Sequence, residues 1–396
     1  MAHHRSTGSG GGIRSRGVSR GLVFALLSII LVAAIIVAWQ HLGDRIDREA
    51  DEAAGSCVEG RETVTIRTDA DLAPGLTEIA ANYAKTNPVV RDHCVTVTIR
   101  PDADAKITAD ALAGTWDDAS MGTYPAAWIP QSSVWAANLS AVKPTAIEGT
   151  PRSLVTSPVV LAVSPAFNQQ LGGKLDWSQL PTLQRRDASL ADVGLPGWGS
   201  LRMAMPTEQQ SDSSALAAQA VAAQVTRTTG ALTTQDAASE RVRFSVQALL
   251  EGAPLSPDGT PAGAARIIAE GSGDPSSTRI HAVPITEQKL YQETRNDAQA
   301  RLAELLPTGP TPVADYPVVR LTDDRVSDVA TDTVADFVEF AAQPDQLRLL
   351  TALGFRGDAP LPAATATVTF PRTPSPMPSP EPGAIVAINR LVYGPA

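Results

Sequence analysis

Residues 63–68 and 95–100 open with the same alternation, Thr-Val-Thr-Ile and Val-Thr-Val-Thr-Ile, which is the signature of two strands. Between them Leu76, Ile79, Ala80 and Tyr83 recur at helical spacing within residues 72–85. Asn87-Pro88 ends that helix, because a residue before proline is driven out of the helical region. A helix over 103–114 and a short apolar run ending at Ile129 continue the alternation, which predicts a parallel sheet with helices on both faces.

Downstream, residues 158–163 are apolar throughout and predict a strand buried on both faces. Residues 177–180 read as a short helical turn, 201–205 as a strand and 215–225 as an Ala-rich helix, with further helices around 240–251 and 261–270. Strands return at 279–285 and 316–321, the latter ahead of helices at 331–342 and 345–353. Past Gly354 the periodicity fades, and the Pro/Ser run over 373–382 predicts a polyproline II linker. Residues 384–393 are apolar but too short to form a domain or to span a membrane as a helix.

A different pattern precedes all of this. Residues 22–39 are apolar or small without one charge, and at 1.5 Å per residue they match a bilayer core. Arg5, Arg14, Arg16 and Arg20 stand before the run, whereas Asp44, Asp47, Glu49, Asp51 and Glu52 come after it. That asymmetry keeps the N-terminus cytoplasmic and places the main domain outside the cell. A cleaved signal peptide is the rival, but the run exceeds a usual signal core and no small-x-small site separates it from Asp44. Cys57 lies too far beyond the run to suggest a lipid anchor.

The extracytoplasmic address bears on the two cysteines, Cys57 and Cys94, each just ahead of one threonine-rich strand. Neighbouring parallel strands would set them side by side, and closing the loop would then contribute roughly 3–4 kcal/mol. Two free thiols are the alternative. The formal net charge of −10 argues against nucleic acid as a partner.

Candidate chemistry gathers at strand ends. In Trp128-Ile129-Pro130-Gln131-Ser132-Ser133-Val134-Trp135 a buried strand turns into a helix that Ser132 or Ser133 can cap. The free N–H groups of such a first turn suit an anion or a polar ligand group, and Trp135 is placed to stack on it. The plainer reading makes the serines simple caps and the tryptophans core. Two more polar turns, over 206–214 and 286–288, lead from strand ends into helices, and ligands of open α/β sheets sit outside such ends.

Catalytic groups are sparse. His93 and His281 are the histidines of the expected folded part, and nothing assembles around either. No Gly-x-Ser-x-Gly elbow occurs, Gly172-Gly173-Lys174 lacks the rest of a phosphate loop, and His93-Cys94 lacks companion metal-ligand spacing. Neither an enzyme, a cofactor nor a metal site is expected.

From about residue 62 to 356 the chain resembles bacterial extracellular solute-binding proteins of the type II periplasmic-binding fold, in the actinobacterial branch that often carries a von Willebrand A domain downstream. The resemblance rests on the 128–135 segment, Ser157-Pro158-Val159-Val160-Leu161-Ala162, Thr286-Glu287-Gln288, Asp315-Tyr316-Pro317 and Leu353-Gly354-Phe355-Arg356. It implies a two-lobed α/β fold with parallel sheets, following a single N-terminal transmembrane helix. By the resemblance, Ser132 and Ser133 face the cleft from the first lobe, and Ser211, Ser213 and Ser214 face it from the second. Thr286 and Glu287 lie at the hinge, and Thr68 and Asp69 complete the rim. A downstream metal-binding companion would need Asp-x-Ser-x-Ser after the Pro-rich run, and Asp212-Ser213-Ser214 lacks that spacing. Gln131 stands where a carboxylate would be unsurprising in the family.

The expected layout is a disordered tail over 1–21, an anchor over 22–39, a stalk over 40–60 and a solute-binding domain over 61–360. Lobe 1 takes about 61–156 and 287–360, lobe 2 about 157–286, and a Pro-rich linker and tail occupy 361–396. The tail past Pro382 is either a remnant or a segment that docks on the domain. The expected function is capture of a small polar or anionic solute for transport or sensing, with a permease or envelope protein as partner. An envelope adaptor that keeps the fold without the ligand is the alternative.

Overall fold

Threonines and β-branched residues alternate along β1 (Gly60–Asp69), so Val64 and Ile66 enter the core on one face. α1 (Ala73–Ala84) covers that face with Leu76, Ile79 and Tyr83, and its first-turn proline removes only an N–H that would have no helical partner. The short β2 (Val89–Val90) then pairs antiparallel with the start of β3 (His93–Asp102). β3 runs parallel to β1 over its full length, Gly60 opposite His93 and Asp69 opposite Asp102, so two aspartates finish side by side at one sheet edge. Both cysteines, Cys57 and Cys94, are in disulfide form.

The computed structural model describes residues 57–209, 211–271, 277–370 and 375–394, together with helical Val37, Trp39 and Gln40. The expected tail over 1–21 and nearly all of the expected anchor and stalk therefore lie outside the described residues. Among those described, no helix is long and apolar enough to cross a membrane.

α2 (Ala105–Ala113) is capped by Asp104, whose carboxylate accepts from the Lys106 and Ile107 N–H groups, a contribution of about 1 kcal/mol. After the single turn α3 (Asp118–Met121), β4 (Ala127–Ile129) joins β1 in parallel and leads into α4 (Ser133–Val142). β5 (Arg152–Ser153) lies at the far edge of this first sheet, and β6 (Ser157–Val163), wholly buried, opens a second sheet.

Helices dominate the chain after β6: α5 (Pro165–Leu171), α6 (Leu180–Arg185), α7 (Asp212–Thr226), α8 (Thr234–Ala237), α9 (Glu240–Leu250) and α10 (Pro261–Glu270). β7 (Ala282–Thr286) then pairs with β6 and runs into α11 (Glu287–Thr294). β8 (Ala303–Leu305) and β9 (Val313–Ala314) complete the second sheet, and β10 (Pro317–Arg320) returns to the first, between β4 and β5. α12 (Asp328–Ala341) and α13 (Pro344–Thr351) pack on the β1/α1 layer. The last element is α14 (Pro382–Tyr393).

Two sheets joined by two crossings give the expected two-part α/β layout, with three differences. Every strand pairing in the second sheet is antiparallel: β7 and β8 start beside the end of β6, and β9 runs the same way beside its beginning. Its strands extend to Ala314, so the return crossing lies just before β10 rather than near residue 287. Residues 201–205 form no strand: only Met203 bridges, to Ala282, which leaves this segment as a single edge contact.

The apolar tail is a helix that docks. Ala384, Ile385, Ile388 and Val392 of α14 are buried against α4, α7, α8 and α9. The Asn389 amide nitrogen donates to the Val134 carbonyl at 2.9 Å and to Asn138 Oδ1 at 3.2 Å. At the other end a Cβ on Gly383 would stand 2.4 Å from Thr234 Oγ1, so a larger residue there would force the Thr234 side chain or the helix to shift. Ile388 is fully buried, and Ile388→Ala is expected to lower the unfolding free energy by about 2–4 kcal/mol in equilibrium denaturation, against under about 1 kcal/mol for a surface helix residue such as Arg390→Ala.

Candidate functional site

The carboxyl ends of β1, β3 and β4 deliver Asp69, Asp102 and the Pro130-Gln131-Ser132 turn to one place. From the second sheet's side, the segment leading into α7 brings Thr207, Glu208, Ser211 and Asp212 to face them, and Tyr393 of α14 closes a third wall. These groups, with Asp104, Lys106 and Trp135, enclose a cavity of about 240 Å³.

Ser132 caps α4 as the sequence suggests, its Oγ accepting from the Val134 N–H at 3.2 Å. Its hydroxyl also donates to Asp212 Oδ2 at 2.6 Å, and Trp135 Nε1 donates to Asp212 Oδ1 at 2.8 Å. Asp212 thus reaches from α7 onto the first turn of α4. The neighbouring Ser133 is taken by a second internal carboxylate: its N–H donates to Asp315 Oδ1 at 2.7 Å, and its hydroxyl donates to the other oxygen. The helix start that could hold an external anion is filled by two aspartates of the chain itself.

The other expected ligand residues divide. Asp69, Trp135 and Ser211 line the cavity. Thr68 is buried with its hydroxyl on the Ile129 carbonyl, Ser213 Oγ donates to the Pro284 carbonyl at 2.9 Å, and Ser214 Oγ is buried without a partner among the described residues. Ser213 and Thr286 border a separate void of about 10 Å³, room for about one water. Thr286 caps α11, while Glu287 makes a fork of two 2.7 Å hydrogen bonds with Arg356 and is fully buried. Those residues hold the second sheet to the chain that returns from it, and they do not face the cavity.

Among the groups that do, the sequence pattern singles out neither Asp102, Asp104, Thr207, Glu208 nor Tyr393 as site residues. Asp102 and Asp104 do carry a local signal, since each follows a threonine-rich strand and precedes a helix, where acids both cap and face strand-end clefts. Asp212 carries a similar one at the first position of α7.

The lining is acidic. Asp69, Asp102, Asp104, Glu208 and Asp212 stand against one ammonium, Lys106, which pairs with Asp110 at 2.8 Å. Asp102 is compensated: it accepts from Thr108, Trp128 Nε1 and Arg67. Asp69 and Asp212 take part in no ion pair among the described residues. Burial pushes the Asp212 carboxyl up to about 7, against the hydrogen bonds from Ser132 and Trp135 and with added repulsion from Asp315 and Asp102. Burial likewise lifts Asp69 well above the ordinary carboxylate range, helped by Asp71 and Asp212. Burial and the charges of Asp69, Asp71 and Asp212 raise the Tyr316 phenol, with the Gln131 side chain opposing.

Among the described residues no nucleophile and base stand together in this site. His93 Nδ1 lies 2.9 Å from the Arg91 carbonyl and His281 sits against Arg202. Among the described residues no cluster of His, Cys, Asp and Glu is arranged to hold a metal ion.

Residues 64–356 match the family model of bacterial extracellular solute-binding proteins. The chain belongs to that family. Two uncharacterised proteins of Mycobacterium tuberculosis, from strains CDC 1551 / Oshkosh and ATCC 25618 / H37Rv, are each 34% identical over 370 residues, covering 93% of this chain and 52% of theirs. The chain therefore spans about half the length of these relatives. In fold, this solute-binding domain is similar to iron-bound HitA of Pseudomonas aeruginosa, with a TM-score of 0.54 at 14% identity over 83% of this chain and 99% of HitA. A Bordetella ferric binding protein gives a TM-score of 0.50 at 13% identity over 84% of this chain and 98% of that one.

The Asp212 environment fixes a sign for pH. Its folded pKa of about 7 exceeds the unfolded value near 4, so the folded state holds the extra proton between them and stability falls as pH rises through that window. Thermal unfolding followed from pH 4 to pH 8 should therefore show a midpoint that drops by several degrees toward pH 7 and then levels. Asp212→Asn should flatten much of that slope, whereas an unchanged slope would remove Asp212 as its source.

Proposed function

We propose that this chain is a membrane-anchored, extracytoplasmic solute-binding protein that captures a small polar solute between its two sheets, for transport through a permease or for sensing. The observation that carries this reading is the cavity of about 240 Å³ whose walls come from both sheets' sides, with Asp69, Asp102 and Gln131 facing Thr207, Ser211 and Asp212. Polar groups from separate elements converging on one enclosed space is what a solute site requires. The acidic lining opposes an anion, so the polar, non-anionic class is the one favoured. Iron, named for two fold relatives, is not carried over, since the likeness to them is one of fold. The anchor rests on the charge-free run over 22–39 and the arginines before it.

A specific observation favours a second reading, the envelope adaptor. Ser132, Ser133, Ser213 and Thr286 direct their polar atoms to partners inside the protein, and α14 packs over the cavity's flank. A fold that has replaced its ligand by internal carboxylates would bind a protein on its surface instead.

A thermal-shift screen of the full chain in mild detergent separates the two. Under the capture reading at least one of sugars, amino acids, amines or oxyanions raises the midpoint, by an amount corresponding to about 2.7 kcal/mol at a hundredfold excess over the dissociation constant, and Trp135→Ala abolishes that rise. No shift with any class supports the adaptor. For the anchor, protease added to intact cells is expected to degrade the domain while leaving a membrane-bound N-terminal fragment; full protection would place the domain inside.

A further inference from the structure

We infer that the cavity takes a small organic cation, a primary amine whose ammonium group sits beside Asp212, Asp69 and Gln131, against the Trp135 and Tyr393 rings. This rests on the solute-binding reading and names the class of solute. Three independent features meet at the one place.

The first is an excess of negative charge. Asp212 is 3% exposed and has no ion pair among the described residues, and the 5% exposed Asp69 shares with Asp71 the single charge of Lys289, whereas Asp102 has Arg67. A buried carboxylate without a countercharge is costly, and a cationic ligand would supply what the chain does not.

The second is a vacant acceptor. Gln131 lines the same cavity, is 3% exposed, and its Oε1 has no hydrogen-bond partner among the described residues. A buried acceptor left unmade costs about 1–3 kcal/mol, and the residue that carries this one stands in the cavity wall. An ammonium group offers three N–H donors and no acceptor, which fits a lining where five carboxyl groups stand against one ammonium.

The third is the remaining wall. Trp135 and Tyr393 both line the cavity with ring centroids 4.8 Å apart, and aromatic faces attract an organic cation. A metal ion fits this site less well, because both Asp212 oxygens are already hydrogen-bonded and no metal-binding cluster occurs among the described residues. The volume of about 240 Å³ lies just under the roughly 300–1,000 Å³ of drug-sized sites, which suits an amine of amino-acid size.

Four probes on one four-carbon backbone test the class: putrescine, aminobutanol, butanediol and succinate, titrated calorimetrically into the full chain in detergent at neutral to mildly alkaline pH, with magnesium and ferric ions as separate titrants. The expected result is saturable binding of the amines alone, weakened about tenfold in Asp69→Asn and in Asp212→Asn, as for loss of one charge-assisted hydrogen bond. Glu208→Gln at the exposed rim should weaken amine binding two- to threefold and reduce its salt dependence, and it decides the matter if the buried variants do not fold. Butanediol or succinate binding as tightly as the amines, a metal ion binding in their place, or amine binding indifferent to all three variants would overturn the cation class while leaving solute binding intact. No binding by any probe, together with no response in the wider screen, would overturn both.

Discussion

Asp212 belongs to one half of the molecule and is held by the other. It begins α7, which packs on the second sheet, yet its two oxygens are taken by Ser132 and Trp135 on the first turn of α4. A single buried carboxylate thus ties that helix to the strand end of the first sheet. Asp315 repeats the device one residue along, binding Ser133 just before β10 returns. Each bond satisfies an N–H or hydroxyl that a helix start exposes, and each depends on a carboxylate kept out of water. The cavity's shape, its acidity and its closure all depend on that arrangement: where Asp212 goes, the wall formed by Ser211 and Glu208 goes too.

Such a tie has two sides. Donors from Ser132 and Trp135 favour the ionised form, while burial and the neighbouring acids favour the protonated one, and the second set prevails. A carboxyl so placed keeps its proton to higher pH than an exposed one, and a positive charge brought beside it would favour the ionised form.

Regular elements with strong local signals are legible in the chain. Threonine alternation marks β1 and β3 down to their parallel pairing, and the helical periodicities of α1, α9, α10 and α12 lie where the apolar spacing puts them. β5, β8 and β9 leave no such trace, because two or three residues carry no periodicity and these strands exist only through pairing with β6 or β10. Residues 201–205 have strand composition but find only one bridging neighbour, which shows how far pairing, rather than propensity, makes a strand. The site is half legible. Polar turns at strand ends point to the cavity and to Asp69, Trp135 and Ser211 in its lining, but Ser132 and Ser133 look open to a ligand only because their partners lie 80 and 182 residues away in the chain. No local rule reveals a partner at that distance. Tyr393 is hidden for the same reason, since a helix of twelve residues is marginal alone and forms here by packing on four others.

That last helix gives the domain a mechanical property. Asn389 grips the Val134 carbonyl and the Asn138 side chain of α4, Tyr393 donates to the Ser211 carbonyl at 3.1 Å, and the ring of Tyr393 rests on Trp135. Tension on the chain at Gly394 would be borne first by the Ser211 carbonyl and the Trp135 ring, two pieces of the cavity wall on opposite sides of the cleft. α14 is thus a lever with its short arm in the cavity wall, and a force applied outside the domain would be felt there as a change in the room available.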